Sequence, residues 1–203
     1  METEQERRAL KDSMPDTSLT MDHTGNCRVL PNRGVLLDLL PSRGIVVEIG
    51  AAFGDFTKEI LARSNPKTLF LIDAWSIERY RVGKEKIEAA LSDEIECGRL
   101  HLRQGLSTDK LAEFDDHFFD WVYIDTNHTF KTTLEELELA RMKVKINGRI
   151  AGHDFCTGNV ITPVPYGVVE ATTQFCAKHD WQFEYLTLES HGHFSFCLQP
   201  IAR

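Results

Sequence analysis

The feature that most constrains this chain is an alternation of short apolar runs with amphipathic stretches, starting near residue 33. Residues 44–49 (GIVVEI), 68–72 (TLFLI) and 119–124 (FDWVYI) are apolar almost without interruption, which is the pattern of strands covered on both faces. Helical patterns at 35–40, 55–64, 84–95, 134–145 and 168–179 lie between and after them. Weaker strand signals occur at 99–103 and at 149–151, the latter after a predicted turn at Asn147-Gly148. Strand–helix alternation predicts an α/β fold with a doubly wound parallel sheet. The last two predicted strands, 183–188 and 194–198, are joined by only the short link 189–193. A parallel crossover needs a dozen or more residues, so these two must be antiparallel. The expectation is a Rossmann-like, mostly parallel seven-stranded sheet with an antiparallel C-terminal strand. In such sheets ligands bind beyond the carboxyl ends of the strands, at the switch point.

Residues 1–30 read as a polar N-terminal arm, with a short charged helix over 3–11, and residues 31–203 as one domain. A formal net charge of −8 argues against nucleic acid as the main partner. No run approaches the ~20 apolar residues of a membrane span, and the N-terminus lacks the apolar segment of a signal peptide. The five cysteines are dispersed without a CxxC pair, which reads as reduced thiols in a cytoplasmic setting. The arm allows a homo-oligomer without specifying one.

The first apolar run ends in Glu48-Ile49-Gly50-Ala51-Ala52-Phe53-Gly54 and is followed by a helix. Gly50 and Gly54 permit close backbone approach, and a helix start offers free N–H groups. The second run ends in Asp73, about 20 residues past Gly50, where a carboxylate accepts hydrogen bonds from a ribose. Ribose alone does not separate a nicotinamide dinucleotide from S-adenosylmethionine. The spacing G-x-x-x-G in place of G-x-G-x-x-G, with the antiparallel ending, favours the methyl donor. Ala51, Ala74 and Trp75 flank these positions. Ser107, in the loop after the next strand, is placed to meet an adenine. The alternatives for these residues are an ordinary strand-to-helix turn, a surface loop at Ser107 and core packing of Trp75.

The densest chemistry lies at two later strand ends, Asp125-Thr126-Asn127-His128 and Gly152-His153-Asp154-Phe155. If the two strands are neighbours, Asp125, His153 and Asp154 offer oxygen and nitrogen ligands for Mg²⁺ or Mn²⁺. His128 is then a general base for a substrate hydroxyl. Taken singly, each residue has a structural explanation, as a helix cap or a packed histidine; the set at two strand ends points to function. Cys156 and Tyr166 fall on the same side; His191 and His193, two nearby histidines of a kind that can bind metal, read as a polar turn.

The segments VVEIGAAFGDFTKEIL, LIDAWS, FDWVYIDTNHTFKTTLEELELA and GRIAGHDF resemble the small-molecule O-methyltransferases of the class I S-adenosylmethionine-dependent fold. The branch most similar contains macrocin-type and mycinamicin-type sugar O-methyltransferases and cephalosporin-biosynthesis methyltransferase-like proteins; catechol O-methyltransferase is a more distant relative. The resemblance spans about residues 33–200. It implies cofactor contacts at Glu48, Gly50, Asp73 and Asp125, metal ligands at Asp125, His153 and Asp154, and a base at His128. His153 departs from the acid or amide usual at its position. It therefore points away from the metal, binds a different ion, or marks a site where His128 works without one. The acceptor implied is a small hydroxylated molecule, a sugar or vicinal diol. Two other readings stand beside this one: a dinucleotide-dependent oxidoreductase, and a non-catalytic protein retaining the cofactor pocket.

Overall fold

A computed structural model describes residues 3–202. The elements run in chain order as α1 (Glu4–Asp12), α2 (Met21–Thr24), β1 (Arg28–Leu30), α3 (Arg33–Leu39), β2 (Ile45–Ile49), α4 (Asp55–Arg63) and β3 (Thr68–Asp73). Next come α5 (Gly83–Ala90), α6 (Ser92–Glu96), β4 (Leu100–Gln104), α7 (Ser107–Ala112), β5 (Phe119–Ile124), α8 (Phe130–Lys143) and β6 (Val144–Gly152). The last are β7 (Gly158–Asn159), β8 (Val164–Pro165), α9 (Val168–His179), β9 (Trp181–Thr187) and β10 (Phe196–Pro200). The main sheet has the order β1-β9-β10-β6-β5-β2-β3-β4, with β7 and β8 forming a separate hairpin. Every pairing in the main sheet is parallel except the two made by β10, which runs antiparallel between β6 and β9.

The apolar strands divide their side chains between two cores. Val47, Ile49, Val122 and Ile124 face one side, where Leu137 of α8 and Phe175 of α9 cover them. Val46, Leu71, Trp121 and Tyr123 face the other, under Leu36 and Leu37 of α3 and Ile60 of α4. Each fully buried aliphatic side chain contributes roughly 1.5–3 kcal/mol, so helix cover on both faces is what makes these continuous apolar runs stable.

The sheet has eight strands, not seven. The additional strand, β1, lies within the expected arm and pairs with β9 through Arg28–Tyr185, Val29–Leu186 and Leu30–Thr187. It is too short for a periodic signal, and only Leu30 is buried. The helix expected over 84–95 divides at Leu91 into α5 and α6. Asn147-Gly148 is not a turn before a strand but lies inside β6. Between the pairs Phe119–Val144 and Trp121–Arg149 the register jumps, so residues 145–148 form a bulge. The link between the last two strands runs over 188–195, longer than expected.

The chain winds outward from β2 through β3 to β4, then returns to the other side of β2 with β5. The switch point therefore lies between the ends of β2 and β5.

Candidate active site

Beyond β2 and β5 the ladder continues for one step: Gly50 N donates to Ile72 O and Asp125 N donates to Ile49 O, both at 2.8 Å. The two loops are so close that a Cβ on Gly50 would lie 1.8 Å from the Asp125 carbonyl oxygen. Only glycine fits, and its φ of +93° is one that other residues avoid. Glu48 is buried beneath this contact and accepts a hydrogen bond from Thr57 Oγ1 at 2.6 Å. Burial, with a smaller contribution from Asp125, pushes its carboxyl up to about 8 despite the Thr57 bond.

Asp73 organises the glycine loop. One oxygen accepts from Ala52 N at 2.9 Å, the other from Trp75 N at 2.8 Å. The Trp75 ring is buried, and its Nε1 donates to Ala52 O at 2.8 Å. Ala52 and Trp75 both adopt left-handed backbone, φ +47° and +44°. Gly105 N donates to Asp73 O at 3.0 Å beside this corner, and Ser107, expected in a loop, is instead the first residue of α7. Gly54, at φ +80°, closes the turn through Gly54 N to Ala51 O at 2.8 Å and starts α4. Gln104 Nε2 donates to Ala74 O at 3.3 Å.

Arg33, which the sequence pattern did not single out, lies at the start of α3. Its guanidinium carbon is 4.4 Å from the Phe56 ring centroid, and its Nη1 is 3.9 Å from Asp125 Oδ2. Glu136 of α8 was also not anticipated. It is fully buried and accepts from Thr126 Oγ1 at 2.8 Å, and burial pushes its carboxyl up to about 7.

Asp125, His128 and Asp154 converge at the ends of β5 and β6. His128 Nε2 is 2.6 Å from Asp154 Oδ2 and 3.5 Å from Asp125 Oδ1, and its ring stacks on Tyr166 with centroids 4.5 Å apart. Burial works against a charge on His128, but the two carboxylates outweigh it and raise the imidazole to about 9. Asp154 is itself held far below the usual carboxylate range: its burial is overcome by hydrogen bonds from His128 and His153. His153 Nδ1 is 3.4 Å from Asp154 Oδ1 and 3.8 Å from Asp125 Oδ2. Its Nε2 is buried without a hydrogen-bond partner among the described residues. His153, His128 and Asp125 line a cavity of about 10 Å³, the space of one water. His128 and Asp154 are in left-handed backbone, φ +62° and +56°, a strained conformation that surrounding contacts must hold.

The β7–β8 hairpin stands beside this cluster. It is anchored by Tyr166 N to Thr157 O at 3.1 Å and Gly167 N to His128 O at 2.9 Å, and carries the exposed Val160 and Ile161 at its tip. Lys11 of α1 donates to Tyr166 O at 2.9 Å and pairs with Glu170. Among the described residues no helix is long and apolar enough to cross a membrane.

A family model described as a methyltransferase domain matches residues 47–155, more than half of the chain. No curated protein matches it in sequence. Among solved structures, cofactor-bound Rv0187 from MTB is similar with a TM-score of 0.63 at 18% identity, covering 97% of this chain and 88% of that one. A SAM-dependent methyltransferase from Aquifex aeolicus gives a TM-score of 0.60 at 12% identity, with 84% and 88% covered. The pyocyanin biosynthetic protein PhzM gives 0.59 at 16% identity; 82% of this chain is covered but only 53% of PhzM, so the chain spans about half the length of that protein.

Proposed function

The chain belongs to the methyltransferase-domain family and has the fold of S-adenosylmethionine-dependent methyltransferases, and from that premise we propose that it methylates a hydroxyl of a small acceptor, a sugar or vicinal diol. The observation that carries the proposal is the convergence of Asp125, His128 and Asp154 at the edge of the Gly50 cradle. S-adenosylmethionine, when bound, supplies an electrophilic methyl group. The residues fit it: a glycine turn from β2 into the N-terminus of α4, the acid Asp73 at the adjoining strand end, and Arg33 as a cation for a carboxylate.

The chain's own work is placement and proton handling. The loops after β2, β3 and β4 present the donor side, and Tyr166 and the β7–β8 hairpin bound the acceptor side. His128 holds a proton between two carboxylates at neutral pH. It serves as a base once that proton has left or once ligand binding draws a carboxylate away. Asp125 and Asp154 also suit a divalent ion, which would polarise the acceptor oxygen. With His153 alongside, the donor set fits Mn²⁺ better than Mg²⁺.

A second reading, transfer without a metal, is favoured by one observation: each Asp154 oxygen already faces an imidazole, His128 on one side and His153 and His193 on the other. Titration calorimetry decides between the two. S-adenosylhomocysteine should bind the wild-type protein; in its presence Mn²⁺ should give heat that Asp125→Ala abolishes. Cofactor binding with no metal heat, even with acceptor added, leaves the metal-free reading. Absence of cofactor binding overturns the proposal.

A further inference from the structure

Two side chains outside the Asp125–His128 contact, Cys156 and His193, meet on the other flank of Asp154. Cys156, two residues past it, places Sγ 3.7 Å from His193 Nδ1, and His193 Nδ1 contacts Asp154 Oδ1. The ligand atoms of these three residues all lie within 4.8 Å of one another. Phe155 N donates to Phe194 O at 2.9 Å and fixes the two loops to each other, while Cys156 N donates to Asp154 O at 2.7 Å and closes a tight turn within the first. Asp154 is buried, and Cys156 and His193 are partly buried.

We infer that Asp154, Cys156 and His193 form a binding site for a zinc-class divalent ion, separate from the oxygen-rich Asp125 side. The chemistry of the donors selects the ion. Thiolate sulfur and imidazole nitrogen suit Zn²⁺, Co²⁺ or Fe²⁺, whereas Mg²⁺ takes oxygen ligands and gains little from sulfur. The spacing agrees: zinc bonds of about 2.3 Å to sulfur and about 2.1 Å to nitrogen put the two ligands about 3.6 Å apart in a tetrahedron. The ion takes the place now filled by the direct His193–Asp154 contact, so those two atoms separate slightly while the sulfur–nitrogen edge is kept. Three protein ligands leave a fourth position open, as in catalytic zinc sites. The inference goes beyond the methyl-transfer proposal and does not need it: Cys156 and His193 lie outside the Asp125–His153 donor set and share only Asp154 with it.

The test is a titration of Co²⁺ into metal-free full-length protein, followed by absorption spectroscopy and displacement by Zn²⁺. The expected result is a thiolate-to-cobalt charge-transfer band with intense visible bands of a tetrahedral site, lost on adding Zn²⁺. Cys156→Ser should abolish the charge-transfer band and weaken Zn²⁺ at least tenfold, and His193→Ala should weaken Zn²⁺ similarly. Cys97→Ser, at an exposed cysteine, should change neither. Wild-type Zn²⁺ affinity in Cys156→Ser, or a cobalt spectrum without sulfur, overturns the inference. Circular dichroism melting of each variant separates loss of the site from loss of the fold. S-adenosylhomocysteine binding is measured on the same wild-type sample, so failure of the methyl-donor reading is seen independently of the cobalt result.

Discussion

Single residues at this site carry charges their surroundings have altered. Glu48 is the clearest case. Its pKa is raised, so the fold prefers the neutral acid; the stability this gives is full below the ordinary value of 4.5 and is lost as pH rises through about 8. Glu48→Gln keeps the shape without the charge. It should therefore gain stability relative to wild type between about pH 5 and about pH 8, read as a rising difference in melting temperature. For His128 the raised pKa has the same sign: its stabilising pairing is full below 6.5 and fades as pH passes about 9. The melting-temperature advantage of wild type over His128→Ala should shrink across that range. The same variant should bind S-adenosylhomocysteine as wild type does while transfer falls ~10²-fold; unchanged turnover removes His128 from the mechanism. Arg33 is assigned to the carboxylate of the cofactor. Arg33→Ala should weaken S-adenosylhomocysteine about tenfold and leave methylthioadenosine, which lacks that carboxylate, unaffected by calorimetry. The convergence of Asp125, His128 and Asp154 could be read from sequence because the two loops follow strands, one strongly apolar and one weakly marked, that the expected sheet order makes neighbours. Arg33, Glu136 and the Cys156–His193 pair could not. Arg33 and the Cys156–His193 pair meet their partners through elements remote in sequence, while Glu136 lies only ten residues past Thr126 but looks in sequence like any other acid of a charged helix.

At the scale of elements, the loops after β2 and β3 act as one unit because Trp75 joins them. Its indole donates to Ala52 O, and its backbone N–H donates to Asp73. Trp75→Phe retains most of the packing and removes the indole bond. It should cost about 1 kcal/mol in denaturant unfolding and lower cofactor affinity; full retention of both would reduce Trp75 to simple core filling. The central strands were legible because burial on two faces leaves continuous apolar runs. β1 was not, because three residues with one buried side chain carry no period. The Asn147-Gly148 signal marked a real change of backbone direction, but tertiary pairing on both sides of it turned that change into a bulge within β6.

For the whole molecule, the proposed cofactor sits across the switch point and contacts loops from both halves of the sheet. Ligand present at 100 times its Kd adds about 2.7 kcal/mol to the folded state. For a chain of this size that is a rise of about 5–10 °C in melting temperature, measurable by differential scanning fluorimetry with S-adenosylhomocysteine. No rise at saturating ligand would count against the cofactor assignment.

The position of β10 has a kinetic consequence. Among the described residues it is the last strand in sequence, yet it lies inside the sheet and is the only strand linking the β1–β9 pair to the other five. During synthesis, which runs from the N-terminus at ~5–20 residues per second, the edge of β6 and the edge of β9 stay open until Pro200 has left the ribosome. A nascent chain halted before Phe196 would hold two unpaired, largely apolar strand edges that readily join those of another chain. Closure of this sheet waits on one five-residue segment, and protection from aggregation rests on how quickly residues 196–200 insert.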